Sequence, residues 1–285
     1  MTETLILTTC PRDCYDSCGI RVVVKDGTID RVTGDPDHPA NRGSLCGKCT
    51  LAYNGVWRDP KARLQKPLKR TGPKGSGTFE EVSWDEALSD IAAQLNGLIA
   101  KDRAKDILTA HYTGTCSVIA NQFPLRFFNY IGATEIEPDS ICNLSGHVAL
   151  SYVLGNSATG FDQRTATASQ CLIVWGGNPS ASGPHMDKHW LAEFPGTLIV
   201  IDPIRTPTAE RADIHLRPFP GTDSALAFGL MHALKAMGKL DRGFIDAHTT
   251  GFDELEPLID AWPPARAAEA TGLSEADILA VAEAY

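Results

Sequence analysis

Four cysteines near the start of the chain, Cys10, Cys14, Cys18 and Cys46, follow the spacing C-x3-C-x3-C-x27-C, with Cys49 three residues further on. Three thiols within nine residues, joined by a fourth from further along, can surround a compact metal centre. Between Cys18 and Cys46 lie two β-rich runs, 20–24 and 29–32, separated by Lys25-Asp26-Gly27-Thr28. Asp-Gly between such runs predicts a hairpin, and the loop 34–39 returns the chain toward Cys46. A short hairpin is marginal alone, so a small metal-pinned subdomain is expected. The ligand type and spacing favour an iron–sulfur cluster. Structural zinc prefers two C-x2-C knuckles, and only Cys46-Gly47-Lys48-Cys49 has that form. Disulfides are the weaker alternative in a reducing compartment.

The rest of the composition narrows the class. At roughly 150 residues per domain, 285 residues suggest about two domains. A hydrophobic fraction of 43% with 21% charged residues excludes disorder as the main state. A net charge of -9 lacks the basic excess that neutralises phosphates, which argues against nucleic acid as a partner. The opening MTETLILTTC has no basic region, long apolar run or twin arginine. Apolar runs such as Leu172-Ile173-Val174-Trp175 are far too short to cross a bilayer. The expectation is a cytoplasmic protein without a membrane span.

Residues 61–74 carry six Lys and Arg residues among turn formers and read as an extended surface linker. Ser83 followed by Glu86 forms a capping-box pattern. Behind it Trp84, Ala87, Leu88, Ile91, Leu95 and Leu98 recur at helical spacing, predicting a helix over about 84–101 with its apolar stripe inward. A strand at 107–110 and a helix over about 118–130, started or kinked by Pro124, follow. Then the grammar changes: an apolar strand at 172–175 ends in Gly176-Gly177-Asn178-Pro179, a helical stretch covers 184–194, and a second apolar strand at 198–201 ends in Asp202-Pro203. This is a βαβ pattern, and continuous apolar strands suit a parallel sheet covered on both faces. Ligands of such sheets bind beyond the carboxyl ends of the strands. A buried helix over 223–237 and a last helix capped by Ser274 complete the pattern.

The segment from Thr8 to Val22, carrying Cys10, Cys14 and Cys18, resembles the N-terminal cluster motif of the prokaryotic molybdopterin oxidoreductases. The resemblance continues in Gly43-Ser44-Leu45-Cys46-Gly47-Lys48, in Arg63-Leu64 with Pro67-Leu68-Lys69-Arg70, and in Val82-Ser83-Trp84-Asp85-Glu86-Ala87. It reappears in Trp175-Gly176-Gly177-Asn178-Pro179, in Asp202-Pro203 with Thr206 and Ala212-Asp213, and in Gly221-Thr222-Asp223. The matches are ordered and spread over nearly the whole chain.

The resemblance implies an α/β fold: a small β-rich iron–sulfur subdomain at 1–64, a partial α/β domain at 65–140, and a partial Rossmann-like α/β/α domain with a parallel sheet, binding a pterin nucleotide, at 141–285. It implies that Cys10, Cys14, Cys18 and Cys46 ligate a [4Fe-4S] cluster, and that Lys48 aids electron passage between cluster and pterin. Cys49 stands where the family often has glycine and reads as a spare thiol. Cys142 occupies the place of the protein ligand to molybdenum or tungsten, with Ser140 as the fallback. Cys116 and Cys171 read as core residues. For the guanine dinucleotide of a bis-pterin cofactor, Gly176, Gly177 and Asn178, then Asp202 for the base, Arg205 for a phosphate, and Gly221 with Asp223 are the implied contacts. Two departures stand out. The family's formate dehydrogenases place His after the metal ligand, where this chain has Asn143, and the usual arginine two places after Asp202 is Ile204. His147 reads as structural. Family enzymes are much longer than 285 residues, so the resemblance covers an N-terminal part. The implied activity is two-electron oxidation or reduction of a small substrate, with a redox partner protein and C-terminal domains beyond this chain. The alternatives are a cluster-carrying module without catalysis of its own, and a non-redox hydratase branch.

Overall fold

The computed structural model describes residues 2–12, 14–111, 118–136, 143–157, 160 and 162–285. Cys116, Ser140 and Cys142 lie outside the described residues. The chain divides into two compact units, Met1–Phe161 and Asp162–Tyr285.

The first unit opens with a three-stranded antiparallel sheet in the order β1 (Glu3–Thr9), β2 (Gly19–Lys25), β3 (Thr28–Gly34). The predicted β2–β3 hairpin forms. Its turn residues Asp26 and Gly27 both take positive φ, 49° and 78°, the backbone that Asp-Gly accommodates best. β1 went unread in the sequence, although Thr-Leu-Ile-Leu-Thr-Thr has strand character. It pairs with β2 along its whole length, Glu3 with Lys25 through Thr9 with Gly19. This register places Cys10 just beyond one strand and Cys18 just before its neighbour, and Cys10 N–H donates to Cys18 O at 2.8 Å.

After β3 the loop 35–46 folds back over the sheet. Asn41, fully buried, donates through Nδ2 to Gly19 O at 3.1 Å and Ser44 O at 2.8 Å. The loop lies so close to Gly34 that a Cβ there would fall 2.3 Å from Ser44 O, so this position accepts only glycine. The return delivers Cys46 as the N-cap of α1 (Gly47–Leu51), which runs on into a π-helical turn over Ala52–Val56. Cys49, Ala52 and Tyr53 pack against Ile20 and Val32 as a small core. Asn54 closes the free edge of β3, its side chain exchanging two hydrogen bonds with the Val32 backbone at 2.7 and 2.8 Å.

The basic stretch is not merely extended. β4 (Leu68–Arg70) and β5 (Phe79–Glu81) form a hairpin, and Lys66 and Lys69 are paired with Glu81, Glu86 and Asp90. Turn residues 72–77 carried the signal. The capped helix α2 spans Trp84–Ile99, and Ser83 Oγ accepts from Glu86 N at 3.1 Å. Its stripe is not inward as expected: Trp84, Leu88 and Ile91 are exposed, and only Ala87, Leu95 and Leu98 are half-buried. Periodicity defines an apolar face but not whether another element covers it. β6 (Leu108–Thr109) and β7 (Thr134–Glu135) pair in parallel across α3 (Val118–Ile131), which runs through Pro124. α4 (Ser145–Leu154) closes this unit.

The second unit is built on a parallel sheet, β8 (Cys171–Trp175), β9 (Thr197–Ile201) and β10 (Ile214–Leu216), with β9 central. Alternation along β9 covers both faces. Ile199 and Ile201 meet Leu226, Leu230, Ala267, Ile278 and Val281 on one side. Leu198 and Val200 meet Ala209, with Leu172, Val174 and Phe194 beside them, on the other. The first face is supplied by α7 (Asp223–Ala236), α10 (Pro264–Thr271) and α11 (Glu275–Ala284), with α8 (Arg242–His248) and α9 (Phe252–Asp260) between them. Ser274 and Asp277 form a reciprocal capping box on α11. The helix expected at 184–194 forms over 184–191, as α6 (Pro184–Met186) running straight into a π-helical turn over Asp187–Leu191, and a separate short turn, α5 (Pro179–Ser182), precedes it. Gly183 separates α5 from α6, and Pro184 takes the first turn of α6, where its missing N–H leaves no helical hydrogen bond unmade.

Candidate functional site

The hairpin and its return loop bring the predicted cysteines together. Burial pushes the Cys18 thiol far up, and the neighbouring charges of Asp16, Cys10, Cys14 and Cys46 push the same way. Burial likewise raises Cys14, with Asp16 and Cys46 adding to the rise while a backbone hydrogen bond and the Lys48 ammonium oppose it. The Cys18 thiol therefore lies within electrostatic reach of Cys10, Cys14 and Cys46, and the Cys14 thiol within reach of Cys46 and the Lys48 ammonium. Asp16 is buried at 1% exposure, and Ser17 takes a positive φ of 44°, as the chain bends between the second and third thiol.

Cys49, read as a spare thiol, packs close to the first of the four. It is buried in the small core, with Sγ 3.6 Å from Cys10 Sγ. Burial, with help from Cys46 and Cys10, pushes its pKa up to about 12. Tyr53, which the sequence reading missed, places its hydroxyl 2.9 Å from Cys10 Sγ, and burial together with the two thiols raises its pKa as well. A signal existed: Cys49 and Tyr53 are four residues apart on one helical face. Arg12 lies over the Trp57 ring, 5.5 Å from its centroid, and Trp57 packs edge-on against Tyr53 at 4.9 Å.

The second cluster of predicted residues sits at the carboxyl edge of the parallel sheet. Trp175, Ile201 and Leu216 are register partners, so the three strands end in one row. Gly176, just past β8, takes a φ of 60° and donates to Ile201 O at 2.8 Å. Asn178 accepts from Ser180 Oγ at 2.5 Å through Oδ1. Ser180 N donates to the buried Thr208 hydroxyl, which donates to Asp187 at 2.8 Å, where Arg211 also binds. Asp202, past β9, is half-buried: Ile204 N donates to its Oδ1 at 2.8 Å and His215 Nε2 lies 2.9 Å from its carbonyl. Gly221 takes a φ of 83°. Asp223 opens α7 and accepts the Trp175 indole N–H at 2.7 Å, which ties the end of β8 to the start of that helix. Gly177 is in place beside Val174, and Arg205 is exposed.

Both sites fit the groups that their residues suggest. The first offers soft thiolates in a partly buried pocket, the donor set of an iron–sulfur cluster. At the second, no atom lies within 4 Å of where a Cβ would stand on Gly176 or Gly221, leaving room for a ligand against bare backbone.

These two features, a thiol nest on a small antiparallel sheet and a polar rim on a parallel one, mark an α/β protein with a metal-binding type of donor set. Comparison with known proteins makes the class specific. Residues 3–56 match the family model of the molybdopterin oxidoreductase Fe4S4 domain, and residues 63–268 match that of molybdopterin oxidoreductase. The chain belongs to the molybdopterin oxidoreductase family. It is 36% identical over 279 residues to a probable oxidoreductase, YoaE, of Bacillus subtilis, covering 97% of this chain and 40% of the relative. It is 30% identical to a formate dehydrogenase alpha subunit of Methanococcus maripaludis, covering 100% of this chain and 41% of the relative. The solved structure of acetylene hydratase from Pelobacter acetylenicus superposes with a TM-score of 0.73 at 28% identity, covering 97% of this chain and 38% of that one. The chain thus spans about two fifths of the length of the relatives it matches. Among the described residues no helix is long and apolar enough to cross a membrane.

Proposed function

We propose that this chain forms the cluster-bearing N-terminal part of a cytoplasmic oxidoreductase that uses bis-molybdopterin guanine dinucleotide with molybdenum or tungsten on a small substrate. The observation that supports this most directly is the gathering of four thiols, 36 residues apart in sequence from first to last, around one hairpin. Cys10, Cys14, Cys18 and Cys46 would hold a [4Fe-4S] cluster. When bound, the metal–pterin centre supplies two-electron exchange with the substrate and the cluster supplies one-electron steps toward a redox partner. The chain's own residues bind and orient. Lys48 supplies a cation within electrostatic reach of Cys14, and would aid electron passage from the cluster. Gly176, Gly177 and Gly221 admit the nucleotide against backbone, and Asn178 is oriented by Ser180 so that its amide nitrogen is left to donate. Asp202 would accept from the guanine edge, with Asp223 and Arg205 as flanking contacts. Cys142 is proposed as the protein ligand to the metal. The rest of the pterin enclosure, on this reading, comes from domains beyond these 285 residues.

A hydratase branch is the second reading, supported by the similarity to acetylene hydratase in both sequence and structure. Substrate turnover with no electrons released to an acceptor would favour it. Metal and pterin analysis of the purified chain tests the main proposal: iron with labile sulfide is expected, and Cys14→Ser is expected to remove it. Iron binding unchanged in that variant would sink the ligand assignment. Guanosine monophosphate binding by calorimetry, expected to weaken in Asp202→Asn, tests the nucleotide rim separately.

A further inference from the structure

Tyr53 has no part in the reading above, yet it is one of the most tightly placed polar groups in the first unit. Only 6% of it is exposed. Its ring is held edge-on by Trp57 at 4.9 Å, and the next residue, Asn54, is pinned to β3 by its two hydrogen bonds to Val32. This fixes where the phenolic oxygen points: at Cys10 Sγ, 2.9 Å away, with Cys49 Sγ 3.6 Å from the same sulfur. Against a metal-bound thiolate, which has no proton, the phenol can only donate. The Cys49 thiol is a weaker donor to the same atom.

We propose that Tyr53 tunes the reduction potential of the cluster in this site by donating its hydroxyl hydrogen to the ligating sulfur of Cys10, with Cys49 as an auxiliary donor. The inference rests on the reading that Cys10 is a cluster ligand. One electron taken up by the cluster from dithionite adds negative charge to the iron and its sulfurs. A fixed O–H dipole aimed at one of those sulfurs stabilises the reduced form more than the oxidised form. The tyrosine therefore holds the midpoint up, and the burial that excludes water keeps the dipole from being screened.

The test is a mediated dithionite titration of the anaerobically reconstituted full chain, followed by electron paramagnetic resonance, with iron and labile sulfide measured on the same samples. Tyr53→Phe is expected to keep its iron and to lower the midpoint so that the reduced-to-oxidised ratio at a fixed potential falls about tenfold, or about 59 mV for a one-electron couple. An unmoved midpoint with full iron content overturns the proposal. Should the phenylalanine variant lose iron, 3-fluorotyrosine at position 53 decides. It is a stronger donor of nearly the same shape, so a raised midpoint supports the proposal and an unchanged one overturns it. Cys10→Ala reports on the underlying reading: full iron retention there removes Cys10 from the ligand set and the proposal with it, whatever Tyr53 does.

Discussion

Substituting alanine for Gly34 is the sharpest test of how the chain assembles its thiol nest. The methyl group would stand 2.3 Å from Ser44 O and 2.5 Å from the Gly43 carbonyl carbon and oxygen. These are backbone atoms, so no rotamer change relieves the clash. Carbon and oxygen settle at about 3.5 Å, so the return loop must move by about 1 Å. Ser44 is two residues before Cys46, and Asn41 binds both Gly19 O and Ser44 O across the same gap. A displacement of that size exceeds the roughly 0.5 Å within which a site must be held. Overpacking of this kind costs about 1–3 kcal/mol. The expected result is a lower urea midpoint together with a clear loss of iron and labile sulfide after reconstitution. Gly27→Ala is the control. Its φ is 78° but nothing lies within 4 Å of the new methyl, so it should cost only left-handed strain, about 1–2 kcal/mol, and keep its iron. Full iron content with an unchanged urea midpoint in Gly34→Ala would refute the argument that loop contact at Gly34 positions Cys46.

Leu226→Ala should destabilise the second unit by about 2–5 kcal/mol, because Leu226 is fully buried between α7 and the sheet; denaturant unfolding checks this, and iron binding in the first unit should be spared. Hydrogen bonds from Lys235 and then Arg242 hold the Glu256 carboxyl below its ordinary value of 4.5. A depressed native pKa gives stability that is present above the ordinary value and lost as pH falls through the native one. Thermal unfolding of Glu256→Gln should therefore differ from the parent above about pH 4.5 and converge with it in stronger acid; equal differences at both ends would contradict the pairing.

Much of the local structure could be read from the sequence because it rests on short-range chemistry. Asp26-Gly27 fits a positive-φ turn, Ser83 and Ser274 cap helices within one turn of themselves, and the apolar runs before Gly176 and Asp202 are strands because they are unbroken and mostly β-branched or aromatic. The ordered motifs also pointed to the family. Other elements were hidden where a distant partner decides the outcome. β1 is a strand because β2 accepts it along its length. The 184–194 segment is helical as read, but its change to π-helical winding begins at Asp187, the residue held by Thr208 from 21 positions away. α2 carried a correct helical period, but its exposed Leu88 and Ile91 show that a period cannot say what lies opposite.

The sequence by itself determined the thiol spacing, the hairpin that separates Cys18 from Cys46, and the glycine-rich strand ends, since each depends on residue type over a few positions. Only the tertiary structure decided that Cys49 and Tyr53 converge on Cys10, and that Trp175 reaches Asp223 across the sheet edge. Those contacts join segments 39 to 48 residues apart, and their geometry is fixed by packing and close backbone approach, which no local pattern encodes.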